Sequence, residues 1–262
     1  MTSVRNVAAL IEKEWRHYFG SPIAYVALAV WTLLFGIFFY FGLTFFLRQS
    51  MMAAQQMEFG GPKLSLNEWL IRPVVHNMAV VALFIAPMLT MRLFAEEKRQ
   101  GTIELLATSP VSQLELVLGK FLAAVGLYAV MILAGFFNLL LLWHYATTPP
   151  EWKPLVTGAL ALLLFGACFL ALGTFISTVT RNQIVAAILS FAVFLGIWTL
   201  GWAQDPSAGP VMRFVAELGV TTHMEDMVKG VLDLKDVVFY LSFIAFGLFL
   251  AHQSLESQRW RA

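Results

Sequence analysis

The residues able to do chemistry in this 262-residue chain are few, and most gather in one stretch. It runs Arg92-Leu-Phe-Ala-Glu-Glu-Lys-Arg-Gln-Gly-Thr-Ile-Glu-Leu-Leu-Ala-Thr-Ser-Pro-Val-Ser112. The order reads as a charged stalk over Glu96 to Arg99, a break at Gly101-Thr102, and a short amphipathic helix carrying Ile103, Leu105 and Leu106. Ser109-Pro110 stops that helix. Charges followed by a small apolar face suit insertion into a groove on a soluble partner, with motion passed on to whatever carries the segment. A plain solvated turn fits the same pattern. Bond-making chemistry does not fit: no G-x-x-x-x-G-K-[ST] loop, no H-E-x-x-H and no G-x-S-x-G occurs. The one cysteine, Cys168, lies in an apolar run and reads as a packing residue, and no metal-ligand spacing appears. The chain is therefore not expected to be an enzyme or to bind a cofactor or metal.

What positions this stretch is a set of apolar segments. Apolar residues make up 59% of the chain and charged residues only 13%, about half the charge of an ordinary soluble domain. Ile23–Phe46, Val74–Met91, Phe121–Trp143, Leu155–Thr180, Ile184–Ala203 and Val237–Ala251 hold not one Asp, Glu, Lys or Arg. Such runs match the ~20 helical residues that cross ~30 Å of hydrocarbon. The expected fold is all-α: six transmembrane helices, over about 23–46, 74–95, 119–143, 155–180, 184–203 and 237–255, in a single domain spanning 1–262, with residues 96–112 as its coupling segment. A modest Lys/Arg excess puts both termini on the cytoplasmic side. Trp15 and Trp260 then flank the inner ends, and Trp69, Trp143, Trp152 and Trp202 the outer ends. The net charge of +1 says nothing about nucleic acid, but no Lys/Arg-rich run exists to bind it, so no nucleic-acid partner is expected.

Residues 1–22 form an expected amphipathic helix lying against the inner leaflet. Val4, Val7, Ala8, Ile11, Trp15, Tyr18 and Phe19 share one face, while Arg5, Asn6, Glu12, Lys13, Arg16 and His17 share the other. Packing of this helix on protein is the alternative. Two short helices are expected in the outer gap before the sixth span, one opened by Pro210 and closed by Gly219, the next begun by a Thr222-x-x-Glu225 capping box. Similar boxes occur at Ser65-x-x-Glu68 and Ser112-x-x-Glu115. Pro87 is expected to kink span two. His76, Asn77 and Asn138 read mainly as helix or water contacts, and Gly119/Ala123 and Ala167/Ala171 as close-packing pairs. No span carries a carboxylate to bind a coupling ion, so energy for any transport is expected from another protein.

With Glu96/Glu97, Gly101, Thr102, Glu104, Leu106 and Pro110, the stretch follows E-x(4)-G-T-x-E-x-L and a later proline. In that pattern and this topology the chain resembles the permease subunits of ABC-2-type transporters over nearly its whole length. His223, the run Lys229-Gly-Val-Leu-Asp-Leu-Lys-Asp236 and Tyr240-Leu-Ser are similar to permeases associated with gliding motility, with nitrous-oxide-reductase maturation permeases as near relatives. The resemblance implies a permease half of an ATP-driven exporter in a bacterial inner membrane. It implies a second permease chain, identical or related, and a separate cytoplasmic ATPase dimer that holds ATP and Mg. An accessory extracytoplasmic subunit is a further candidate partner beside membrane lipid. It places Glu96, Glu97, Gly101, Thr102, Ile103, Glu104, Leu105 and Leu106 at the ATPase contact, with Glu12, Trp15, Arg16 and Tyr18 on the adjoining connecting helix. Asn77, Met88, Trp198 and Thr199, on spans two and five, become pathway candidates. A nucleotide-driven mechanotransmitter or membrane anchor for a motility or surface-assembly complex, with no substrate flux, is the alternative function.

Overall fold

The structure, a computed structural model, describes residues 2–57, 64–101, 111–145, 150–201 and 209–259. It is helical, with no strand among the described residues. The helices are α1 (Thr2–Gly20), α2 (Pro22–Met57), α3 (Arg72–Thr90), α4 (Ala95–Gln100), α5 (Gln113–Tyr145), α6 (Trp152–Val179), α7 (Gln183–Leu200), α8 (Pro210–Glu217), α9 (Met224–Val228) and α10 (Leu234–Arg259). A π-helical turn, Asn67–Ile71, leads into α3. Among the described residues, six stretches are long and apolar enough to cross a membrane: Pro22–Ala53, Asn67–Gln100, Gln113–His144, Trp152–Val179, Gln183–Leu200 and Leu234–Gln258. The chain is an all-α polytopic membrane protein.

The bundle is built around α6, which packs on α3, α5, α7 and α10. α3 and α6 are mostly covered, whereas α2, α7 and α10 leave most of their surface open. Open apolar surface is expected where lipid or a second chain replaces water. The centre is aromatic. Trp31 and Tyr128 meet edge to face at 5.4 Å, and the Tyr128 hydroxyl donates to Leu162 O at 3.2 Å. Phe169 bridges Phe165 and Phe194 at 4.7 and 4.8 Å. Gly173 on α6 lets α3 approach, since a Cβ there would stand 2.3 Å from Thr90 Oγ1.

Several local expectations are altered by tertiary contacts. α2 continues to Met57, well past the apolar run that ends at Phe46. Pro87 lies in the last turn of α3, which stops at Thr90, and residues 91–94 turn before α4. The Ser112–Glu115 box forms, with Ser112 N donating to Glu115 Oε2 at 2.9 Å and Glu115 N to Ser112 Oγ at 3.2 Å. The other two boxes do not form. Trp69 N turns to the backbone oxygen of Ser65 as the π turn winds, and the Thr222 hydroxyl donates to Ala216 O. α9 has His223 at its N-cap with no side-chain cap. Asn138 donates within its own helix to Gly135 O, and Cys168 is buried, as packing residues are.

Candidate functional site

Three helices, α1, α4 and α5, converge at one end of the bundle. α4 is the first. Its entry is fixed by Ser177, near the end of α6, whose hydroxyl accepts from Phe94 N and Ala95 N at 3.0 and 3.1 Å and donates to Met91 O at 3.4 Å. One donor and two acceptor sites are the full capacity of a hydroxyl, so this serine is saturated by the turn it holds. The Lys98 ammonium donates to Thr178 O, and Gln258 Nε2 of α10 donates to the same carbonyl at 3.0 Å. That oxygen belongs to the last turn of α6, where helical carbonyls lack an intrahelical donor. Gly101 closes α4 at φ +70°, a left-handed cap that a side chain rarely adopts.

The second element is α1, seated on the start of α5. Leu10 lies over Gly119, where a Cβ would stand 2.7 Å from Leu10 Cβ, and the Trp15 ring lies over Gly126 at 2.8 Å by the same measure. Trp15 Nε1 donates to Ala123 O at 3.2 Å. The small residues Gly119 and Ala123 thus admit α1 to the span. The buried side of α1 is centred on Leu10 and Glu14, while Val4 and Ala8 are exposed. Along its buried side α1 packs on α5. Glu12 and Arg16 form an exposed pair at 2.6 Å. The Tyr18 hydroxyl is buried without a partner among the described residues. Burial, with the Glu14 carboxylate adding to it, raises this phenol above its ordinary range.

Lys120 joins these elements. Its ammonium, on α5, bonds Glu14 Oε1 of α1 at 2.9 Å and Glu97 Oε1 of α4 at 2.8 Å, and lies 5.3 Å from the Phe94 ring centroid. The lysine is 2% exposed. A buried lysine is tolerated when carboxylates surround it, and losing it strands them. Asn6 Nδ2 adds a weaker tie to Glu115 Oε2 at 3.4 Å. Beside the ion cluster lies a cavity of about 290 Å³, bordered by Tyr18, Met88, Arg92, Glu96 and Gln100. The ion cluster ties α1, α4 and α5 to one another.

Of the residues singled out in the sequence, Glu97 and Trp15 are in this assembly, Gly101 caps it and Glu96 faces the cavity, accepting from Gln100 at 3.3 Å. Thr102, Ile103, Glu104, Leu105 and Leu106 lie outside the described residues. Of the pathway candidates, Met88 borders the cavity and the others lie apart from it. Asn77 and Met88 stand on one exposed stripe of α3 with Val80 and Phe84, and Phe84 meets Phe191 of α7 at 4.9 Å. Trp198 and Thr199 are half-buried near the far end of α7, and the Thr199 hydroxyl bonds its own helix at Gly196 O. Glu14, Lys120, Ser177 and Gln258 escaped sequence reasoning. Lys120 carried a usable signal, a lone cation at the lip of a charge-free run that needs a partner.

Compared with known families, residues 8–250 match the family described as ABC-2 family transporter protein. No curated protein matches the chain.

Proposed function

The chain belongs to the ABC-2 transporter family; it is the permease subunit of an ABC transporter, and we propose that it couples ATP hydrolysis by a separate cytoplasmic ATPase dimer to outward movement of a substrate. The observation that carries this reading is the grip of Lys120 on Glu14 and Glu97, which ties the connecting helix α1, the stalk α4 and span helix α5 into one body beside residues 102–110. Residues 102–110 form the foot that docks on the ATPase, with Thr102, Ile103, Glu104, Leu105 and Leu106 at the contact. Nucleotide closure pushes the foot, and the tied helices pass the displacement to the spans. ATP and Mg are held by the partner. Both termini and the foot lie on the cytoplasmic side of a bacterial inner membrane. A second permease chain covers the open faces of α2 and α7, and Asn77, Met88, Trp198 and Thr199 border the path between the halves. The His223–Tyr240 pattern favours a transporter of the gliding-motility or nitrous-oxide-reductase maturation kind.

Cysteine cross-linking tests this. The chain has one native cysteine, and it is buried, so an introduced cysteine reports alone. In native membranes Leu106→Cys should cross-link to a co-purifying ABC ATPase, while Val231→Cys at the opposite end should not. Glu104→Lys should insert normally yet uncouple hydrolysis from movement. An ATPase adduct at Val231→Cys but not at Leu106→Cys, or recovery of the native complex without any ATPase, would overturn the proposal.

A further inference from the structure

The end of the bundle opposite the foot carries a second buried contact between ionisable groups. α3 defines the two ends: its last turn leads to Ser177 and the foot, and Arg72 at its start pairs with Glu225 of α9 at 3.6 Å. At the Arg72 end, His223 lies between α8 and α10. Its Nδ1 is 2.7 Å from Asp236 Oδ1, and its Nε2 is 3.0 Å from Glu217 O. The ring stacks on Phe239 at 3.9 Å and meets Tyr240 edge-on at 6.4 Å. Asp236 is 1% exposed, and its Oδ2 has no partner among the described residues. The Tyr240 hydroxyl donates to Val220 O at 2.9 Å. The segment between α8 and α10 is thereby held by one imidazole and one phenol.

Both neighbours of the imidazole are oxygens, and a carbonyl can only accept. Two hydrogen bonds therefore need two protons shared between ring and carboxyl: Nε2–H toward Glu217 O, and one more on either Nδ1 or Oδ1. A neutral imidazole beside an ionised carboxylate supplies only one. Either the carbonyl then faces a lone pair or the carboxylate does, in a site closed to water on the Asp236 side. Among the described residues, the other ionisable groups here do not replace the missing proton. Glu225 is paired with Arg72, Lys229 with Asp226 and Lys235 with Asp233, while Glu217 contributes its carbonyl. From α6, Cys168 reaches only the backbone oxygen of Tyr240.

We propose that His223 and Asp236 form a proton-dependent clasp that holds α8 and α9 against α10 while the pair keeps its second proton and releases them when that proton leaves. The sign follows from the count. The closed state binds one proton more than the open state with an ionised carboxylate and neutral histidine, so closure is favoured on the acid side and weakens as pH rises. On the orientation proposed above, this end meets the external medium. The clasp would then make the outer helices responsive to external acidity, whichever substrate or complex the permease serves.

Hydrogen–deuterium exchange on the full chain in lipid nanodiscs tests the clasp. Exchange of residues 210–228 is read as a ratio to α6 in the same sample, which cancels the intrinsic pH dependence of the chemistry. Between about pH 6 and about pH 8.5 that ratio should rise severalfold, bounded at about tenfold per pH unit by release of a single proton. His223→Gln, which cannot titrate, should give a ratio that no longer changes with pH. Asp236→Asn should do the same and serves if the first variant folds poorly. A flat ratio in the unaltered chain overturns the proposal without any variant, and so does an undiminished pH response in either folded variant.

Discussion

Each end of the bundle buries a contact between a base and a carboxylate where a short helix meets the spans, and the two differ in what they join. At the foot, Lys120 links elements far apart in sequence, reaching Glu14 across 106 positions and Glu97 across 23. At the opposite end, His223 and Asp236 are 13 apart and close a local loop. The first fixes separate parts of the chain relative to one another, which is what transmission of force requires. The second fixes one excursion to its own base, which allows release without disturbing the bundle. The chemistry follows the same division: an ammonium is held between two carboxylates at one end, and an imidazole lies against a single carboxylate at the other. A lever suits the former and a latch the latter.

The sharpest way to break this contrast is Lys120→Met. It leaves Glu14, whose side chain is 9% exposed, without its cation, and should cost about 3–5 kcal/mol, measured as a loss of thermal stability in detergent. Adding Glu14→Gln and Glu97→Gln should restore most of that stability by removing the stranded charges, but not coupling of hydrolysis to movement. If the triple variant couples normally, the ion cluster is mere packing. Next in size is Gly119→Leu. Its side chain would occupy the seat of Leu10, and overpacking there should cost about 1–3 kcal/mol. Proteolysis should then release α1 while leaving α8 and α9 protected, separating the two ends.

How much of this was legible beforehand depends on whether a feature is local. The spans were, because a charge-free run of sufficient length has few other uses in lipid. So were α8, opened by Pro210, and the Ser112–Glu115 box, whose partners lie within one turn. The foot assembly was only partly legible. Apolar periodicity turned α1 toward Ile11 and Trp15, but the Lys120 ammonium draws Glu14 inward and so sets which side of α1 is buried. Ser177 looked like one more small residue at a helix end, although its hydroxyl fixes the entry to α4. The Thr222-x-x-Glu225 pattern suggested a cap, yet Thr222 bonds back to α8 and His223 points to Asp236 instead. Each miss is a side chain whose partner comes from another helix, which no spacing rule encodes.

Smaller effects sharpen the contrast. Gly101→Ala forces a side chain into the left-handed cap of α4 and should cost about 1 kcal/mol, read as a lower thermal midpoint. Its effect on coupling should exceed its effect on stability, because the strain falls where the stalk meets the foot.

The smallest effect belongs to the outer end and separates holding from sensing. Tyr240→Phe removes one buried hydrogen bond, from the hydroxyl to Val220 O, and leaves His223 and Asp236 in place. A neutral hydrogen bond contributes about 0.5–1.5 kcal/mol, with the unpaired carbonyl as the main penalty. Exchange of residues 210–228 should therefore rise by a similar factor at every pH, since the histidine–aspartate pair is untouched. A parallel shift would mean that tyrosine holds the segment and the histidine–aspartate pair senses the proton. If Tyr240→Phe instead abolished the pH response, the loop would be governed by the tyrosine corner as a whole, and the division between a lever at one end and a latch at the other would lose its chemical basis.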